Sequence, residues 1–233
     1  MKISFVIPVY NEFKTLEKAI IEVIELREIE KEIIIVDNNS NDGSREIIEK
    51  FKDFENFKII LKKKNLGYGD SIKKAINIST GDFIYIQYAD LEYNISGFHT
   101  MLNCIQRNNV DFVFGERYEK LSYLESLKII FKRPAFLGTF ITTNLINFFY
   151  KKNFNDIIGS KLYNSNQIKK INVSSDGQGY DFELVSKISK NNFTVESVFI
   201  PYMPRSNSKE KKIKFYHMFV ALYQIFKVKF FIK

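Results

Sequence analysis

A chain of 233 residues is long enough for one α/β domain with a sizeable core, or for one domain with a small appendage. Hydrophobic residues at 45% and charged residues at 27% exclude a disordered chain, and no apolar run reaches the roughly eighteen residues that mark a membrane span. A single cysteine, Cys104, excludes an intramolecular disulfide and a cysteine-based zinc cluster and fits a reducing compartment, while two histidines exclude a histidine-rich metal site. Cys104 falls in a helical apolar pattern with Phe98, Met101, Leu102 and Ile105 and is expected in the core. The net charge of +8 is local: residues 205–233 hold Arg205, Lys209, Lys211, Lys212, Lys214, Lys227, Lys229 and Lys233 against Glu210 alone. Such a segment suits a phosphate or an anionic membrane surface. No nucleic-acid recognition motif accompanies it.

Residues 2–9 read as a first strand, too short for the apolar region of a secretory signal. Residues 11–26 follow as an amphipathic helix, with Leu16, Ala19, Ile20, Val23 and Ile24 at helical spacing and Asn11 as its N-cap. Residues 32–37 form a second strand, apolar until Asp37, as expected where helices cover both sheet faces. The polar turn after it leads into a helix marked by Ile47, Ile48 and Phe51. Residues 57–61 are a third strand, 62–69 a basic loop containing Gly67 and Gly69, and 70–78 a helix. Residues 81–88 form the fourth strand, followed by Asp90 and Glu92; 95–108 is helical and 110–115 a buried strand. This alternation predicts a mostly parallel sheet with right-handed crossovers, a Rossmann-like nucleotide-binding half over residues 1–115. Residues 116–204 form a less regular second half: Phe-rich helical stretches in 121–150, short strands at 160–163 and 194–200, and a helix at 180–189. Residues 205–233 form a basic, aromatic C-terminal segment.

The chemistry gathers at strand ends. Asp37 ends the second strand, Asp90 and Glu92 follow the fourth, and the Pro8-Val9-Tyr10-Asn11-Glu12 turn ends the first. In a parallel sheet these ends share one edge, where such folds bind ligands. Asp37 suits a base or ribose, or else an Asx-turn within its own Asp-Asn-Asn-Ser run. Asp90 and Glu92 can converge on Mg²⁺ or Mn²⁺, which would neutralise a diphosphate leaving group.

Phe5-Val6-Ile7-Pro8-Val9-Tyr10-Asn11-Glu12, then 35–44 with Asp37, then Asn65-Leu66-Gly67-Tyr68-Gly69, then Gly81-Asp82 through Glu92 resemble family 2 glycosyltransferases. The dolichol- or polyprenol-phosphate sugar synthases are the nearest subgroup, and the likeness extends to Asp156–Tyr163, Gly179–Glu183 and Pro201 to Arg205 with Lys211-Lys212-Ile213. The resemblance implies a GT-A fold and inverting transfer from a GDP- or UDP-sugar with a divalent metal. By position, Pro8, Tyr10, Glu12, Asp37, Gly67 and Asp90 would line the nucleotide site, and Asp90 and Glu92 would bind the metal. Arg117, Arg205 and, by looser alignment, Arg133 would grip donor or acceptor phosphates, for which guanidinium forks are suited. The family's Asp-Ala-Asp is Tyr88-Ala89-Asp90 here, so one carboxylate is missing and the metal requirement is open.

A polyprenyl phosphate acceptor is anionic and needs no general base, whereas a sugar hydroxyl in surface glycan synthesis needs one. Asp181 and Glu183 are candidates for that base, or else charges complementing a helix N-terminus. The C-terminal segment reads as an amphipathic helix on the membrane surface, or as a helix packed on the core. The expectation is a cytoplasmic, membrane-peripheral glycosyltransferase acting on polyprenyl phosphate. The alternatives are a hydroxyl-directed relative and a non-catalytic nucleotide-sugar-binding module.

Overall fold

Four strands, Lys2–Val9 (β1), Glu30–Asp37 (β2), Phe57–Leu61 (β3) and Phe83–Ile86 (β4), run parallel in the spatial order β3-β2-β1-β4 in a computed structural model. The structure describes residues 1–133, 136–191, 193–205 and 216–232. Leu16–Ile24 (α1), Ser44–Glu49 (α2) and Tyr68–Ile78 (α3) make the crossovers. Ile33, Ile34, Ile35 and Val36 of β2 are all fully buried because helices cover both faces. The chain moves outward from β1 through β2 to β3, then returns to the other side of β1 to form β4. This reversal opens a crevice between the carboxyl ends of β1 and β4, the place where open α/β sheets bind ligands.

Ser96–Asn108 (α4), Phe112–Glu116 (β5), Tyr123–Lys132 (α5) and Phe136–Tyr150 (α6) follow. Then come Lys161–Asn164 (β6), Ser165–Ile168 (α7), Tyr180–Lys190 (α8), Val195–Phe199 (β7) and His217–Phe230 (α9). β6 inserts antiparallel between β4 and β5, and β7 pairs parallel with β5, so both halves of the chain share one seven-stranded sheet, β3-β2-β1-β4-β6-β5-β7. One face buries Leu16 and Ile20 of α1, Ile47 of α2 and Phe98 and Met101 of α4. The other buries Ile72 of α3, Ile146 of α6, Leu184 of α8 and Ile225 of α9. Phe98 lies 4.8 Å from Phe5 and 5.1 Å from Tyr85, ring centroid to centroid. Each such buried ring contributes about 1.5–3 kcal/mol.

Some boundaries differ from the sequence expectation for local reasons. The first helix begins at Leu16 rather than at residue 11, because Asn11 adopts a left-handed φ of 52° and Thr15 precedes the first turn. β4 covers Phe83–Ile86 rather than 81–88. Gly81 belongs to a turn pressed on β1, where a Cβ would stand 2.7 Å from the Ser4 nitrogen. Asp90 and Glu92 follow β4, as expected, but on a loop that begins two residues earlier than predicted. Of the C-terminal segment, α9 is described, whereas Lys209, Lys211, Lys212 and Lys214 lie outside the described residues.

Candidate active site

The loops after β1 and β2 are clamped together. The Asn11 amide donates to Ser40 Oγ (2.9 Å), the Glu12 amide to Ser44 Oγ (2.9 Å) and the Phe13 amide to Asp42 (3.0 Å). Pro8 is half-buried and Tyr10 is exposed beside them. The Asp37 carboxylate is fully buried and engaged locally. It accepts from the amides of Asn39 and Ser40 and from Arg45 Nε at 2.7 Å, the Asx-turn arrangement reinforced by an ion pair. Gly67 has φ 101°, and a Cβ there would meet the Asp176 carbonyl at 2.5 Å, so this glycine permits close packing of the loop on 175–177.

Three carboxylates converge on one guanidinium in the crevice. Arg205 Nη2 lies 2.7 Å from Glu12 Oε2 and 3.4 Å from Asp90 Oδ2, and Nε lies 3.9 Å from Glu92 Oε1. Leu91, at φ 58°, turns the loop so that Asp90 Oδ1 accepts from the Glu92 amide at 3.1 Å. A strap over residues 202–205 closes on this loop: Tyr202 Oη donates to Glu92 Oε2 at 3.0 Å, and the Arg205 amide donates to Oε1 at 3.1 Å.

Arg117, just after β5, is held by Asp156. Its Nε and Nη2 donate to the two Asp156 oxygens at 2.6 and 3.0 Å, and Nη2 also donates to Thr139 at 3.2 Å. Burial opposes the charge on Asp156, but Arg117 outweighs it and holds the carboxyl below its ordinary range. The guanidinium also stacks over the rings of Tyr118 (5.7 Å) and Tyr202 (5.3 Å). Arg133 is exposed at the end of α5, with no ion pair to the acidic loop among the described residues.

Tyr88 points its hydroxyl at Tyr68, 3.1 Å away, with the rings stacked at 12°. Burial and the neighbouring Asp181 push its phenol well above the ordinary range, so it stays a neutral hydroxyl and does not replace the missing carboxylate. Asp181 stands 3.2 Å from Lys161, which is itself buried on β6. Glu183, two residues on, is fully buried and accepts from Ser174, Ser175 and Lys187. Burial works against its charge, but these donors, Lys187 foremost, hold it down to about 2. Glu183 secures the 174–175 loop to α8.

The structure thus brings Glu12, Asp90, Glu92 and Arg205 together and leaves Arg133 and Glu183 apart from them. Sequence reasoning missed the pairings of Arg117 with Asp156 and of Asp181 with Lys161. The one available signal for Asp156 was an acid set between Phe154 and Ile157-Ile158. Among the described residues no group of three His, Cys, Asp or Glu stands ready to hold a metal. The donor chemistry nonetheless fits one divalent cation. Three carboxylates around a single guanidinium leave two negative charges in excess, and a diphosphate would add oxygens to those of Asp90 and Glu92.

An open α/β sheet with a carboxylate-lined crevice at its switch point defines a ligand-binding protein of the nucleotide-binding type. Residues 4–189 match the model of glycosyl transferase family 2, and the chain belongs to that family. Its fold is the GT-A fold. Glucosyl-3-phosphoglycerate synthase from Mycobacterium tuberculosis in complex with UDP matches it at a TM-score of 0.68 and 13% identity, over 97% of this chain and 78% of the other. Another structure of that enzyme contains Mn²⁺, UDP and phosphoglyceric acid. Among curated relatives, the cholesterol galactosyltransferase of Borreliella burgdorferi is 26% identical over 234 residues, 93% of this chain and 64% of the relative. The dolichol-phosphate mannosyltransferase of Pyrococcus furiosus is 28% identical over 143 residues, 59% of this chain and 40% of the relative. The chain spans less than two thirds of either relative's length.

Proposed function

We infer that the chain transfers a sugar, with inversion, from a GDP- or UDP-sugar to polyprenyl phosphate at a membrane surface. The observation that carries this reading is the meeting of Glu12, Asp90 and Glu92 on Arg205 at the β1/β4 switch point. It joins residues 1–115, the nucleotide half, to Arg205, the first residue after the acceptor half at 116–204. The clamped loops after β1 and β2, with Pro8, Tyr10 and the turn built on Asp37, form the wall for the nucleoside. Asp90 and Glu92 would hold a Mg²⁺ or Mn²⁺ ion, which neutralises a diphosphate leaving group when bound. Arg205 then exchanges its carboxylate partners for a phosphate oxygen, a change its fork geometry allows without loss of hydrogen bonds. The acceptor oxygen forms a bond to C1 of the sugar as the bond from C1 to the diphosphate oxygen breaks, and the nucleoside diphosphate departs with that electron pair. An anionic lipid phosphate needs no base for this step.

A hydroxyl acceptor is the second reading, and a specific observation favours it. The Nε–Nη2 edge of the Arg117 guanidinium is engaged by Asp156, and Nη2 also by Thr139, which reduces its freedom to grip an acceptor phosphate. Asp181, beside Lys161 and Tyr88, is then the group to take the proton.

The experiment is sugar transfer from a panel of UDP- and GDP-sugars to a short polyprenyl phosphate and to hydroxyl-bearing glycolipids, with Mn²⁺ and with EDTA. Product on the lipid phosphate supports the first reading, and product only on a hydroxyl supports the second. Nucleotide binding without any turnover supports a non-catalytic nucleotide-sugar-binding module.

A further inference from the structure

The outward face of α9 is aromatic from end to end. Tyr216, Phe219, Tyr223, Phe226 and Phe230 recur at three- and four-residue intervals, which is one helical face, and are 41–61% exposed. The inner face, with Ala221, Ile225 and Val228, is buried against α8 and α6. The helix thus carries one buried apolar face and a second, aromatic face that lies outside the buried core. α6 extends the patch, since Phe149 touches Phe226 and Phe230 at 5.5 and 5.8 Å and the adjacent Phe148 is 79% exposed. Neither α6 nor α9 contains an acidic residue, while Lys151 and Lys152 follow α6 and Lys227 and Lys229 lie on α9.

The first half of α9 packs close to the elements that hold Arg117. The start of α8 at Gly179 lies against Val220 and Gln224 of α9, and Gly138 of α6 lies against Met218. Thr139, the next residue of α6, bonds to Arg117.

We propose that this face docks on an anionic bilayer, with α9 lying in the plane of the headgroups. Phenyl and phenol rings suit the membrane interface, and unopposed lysines suit anionic lipids. A helix of 14 residues, about 21 Å long, is too short to cross a hydrocarbon core of about 30 Å and must lie along it. A second copy fits less well. An isologous contact would bring the lysines of both copies together with no acid on either helix to pair them. Docking itself is independent of the acceptor chemistry; only its use, presenting a lipid acceptor to the crevice, rests on the function inferred above.

The chain contains no tryptophan, so one introduced indole reports alone. Phe226→Trp places it on the stripe, and Phe54→Trp places it on a ring that is 49% exposed on the opposite side of the sheet. Phosphatidylcholine vesicles containing phosphatidylglycerol shift the emission of Phe226→Trp to the blue, brominated acyl chains quench it, and Phe54→Trp responds to neither. The double variant Phe219→Ser/Phe230→Ser, with unchanged circular dichroism, partitions into these vesicles about 100-fold less well. Lys151→Glu/Lys152→Glu removes the preference for anionic over neutral vesicles. No response at residue 226, or an equal response at residue 54, overturns the proposal. So does a concentration-dependent blue shift without vesicles that tracks a dimer in sedimentation, which would place a second copy on this face. Loss of sugar transfer with vesicle binding intact would count against the acceptor reading alone.

Discussion

Arg205 and Glu12 lie 193 residues apart in the chain and 2.7 Å apart in space. This ion pair closes the 202–205 strap over the crevice and gathers Asp90 and Glu92 around the same guanidinium. It fixes the 202–205 strap against the loops after β1 and β4 at the point where the sheet reverses its strand order.

Replacing that guanidinium leaves three carboxylates facing one another. Arg205→Gln is expected to lower stability by about 1–3 kcal/mol, a range set by partly buried charged hydrogen bonds. Millimolar Mn²⁺ or Mg²⁺ should restore much of the loss in the variant and change the parent chain less. Urea denaturation with and without the ion reads both effects. A variant as stable as the parent, indifferent to the ion, would mean that the carboxylates do not share a common field.

Asp156 is fully buried, with Arg117 as its partner. Asp156→Asn should cost about 3–5 kcal/mol, because it leaves a buried guanidinium without its counter-charge. Asp156→Ala combined with Arg117→Met should cost less than the single change, since no charge is then stranded. Urea midpoints of the three chains decide it.

Glu183 contributes to the acid limb of the pH dependence of stability, together with Glu32 and Asp156, whose carboxyls are also held below their ordinary range. The folded Glu183 carboxyl is held down to about 2 against an ordinary value near 4.5. A depressed folded value means that the stabilisation is complete above the ordinary value and is lost as pH falls toward 2, an effect on the order of 3 kcal/mol. Glu183→Gln should lower stability at pH 7 and flatten the decline between pH 5 and pH 2. Sugar transfer by the folded variant should keep the pH profile of the parent. A lost alkaline or acid limb in the transfer profile would instead make Glu183 a proton carrier.

Gly159 lies where β6 is about to meet β5, and a Cβ on it would stand 1.7 Å from the Gly115 carbonyl. Gly159→Ala must push the two backbones apart beside Arg117 and Asp156. It should destabilise the chain by about 1–3 kcal/mol, read as a lower urea midpoint.

The parallel half was legible because buried strands such as Ile33–Val36 are apolar runs ended by a polar turn, and β1 and β3 begin and end as predicted. β4 was shortened because Gly81 and Asp82 are β-compatible by pattern yet are held in a turn against Ser4 and Lys2. The insertion of β6 between β4 and β5 was not legible, since strand pairing depends on partners that no local period encodes. Asp90 and Glu92 stood out as acids after an apolar strand. Their meeting with Glu12 on Arg205 did not, because it joins the first loop to a strap near residue 205. Asp37 was read both as a ligand contact and as a self-capping turn, and its carboxylate is enclosed in that turn. The aromatic face of α9 was visible as composition. Its exposure followed only from the packing of Ala221, Ile225 and Val228 on the opposite side.

The most direct test of the account is calorimetric titration of UDP and GDP into the parent chain and Asp90→Ala, each with Mn²⁺ and with EDTA. The account predicts that one nucleotide binds the parent, that EDTA weakens this binding by about tenfold or more, and that Asp90→Ala with Mn²⁺ binds as weakly as the parent in EDTA. Parent-like affinity and parent-like Mn²⁺ dependence in folded Asp90→Ala would contradict it, because the diphosphate would then lie away from the crevice where Asp90 meets Arg205.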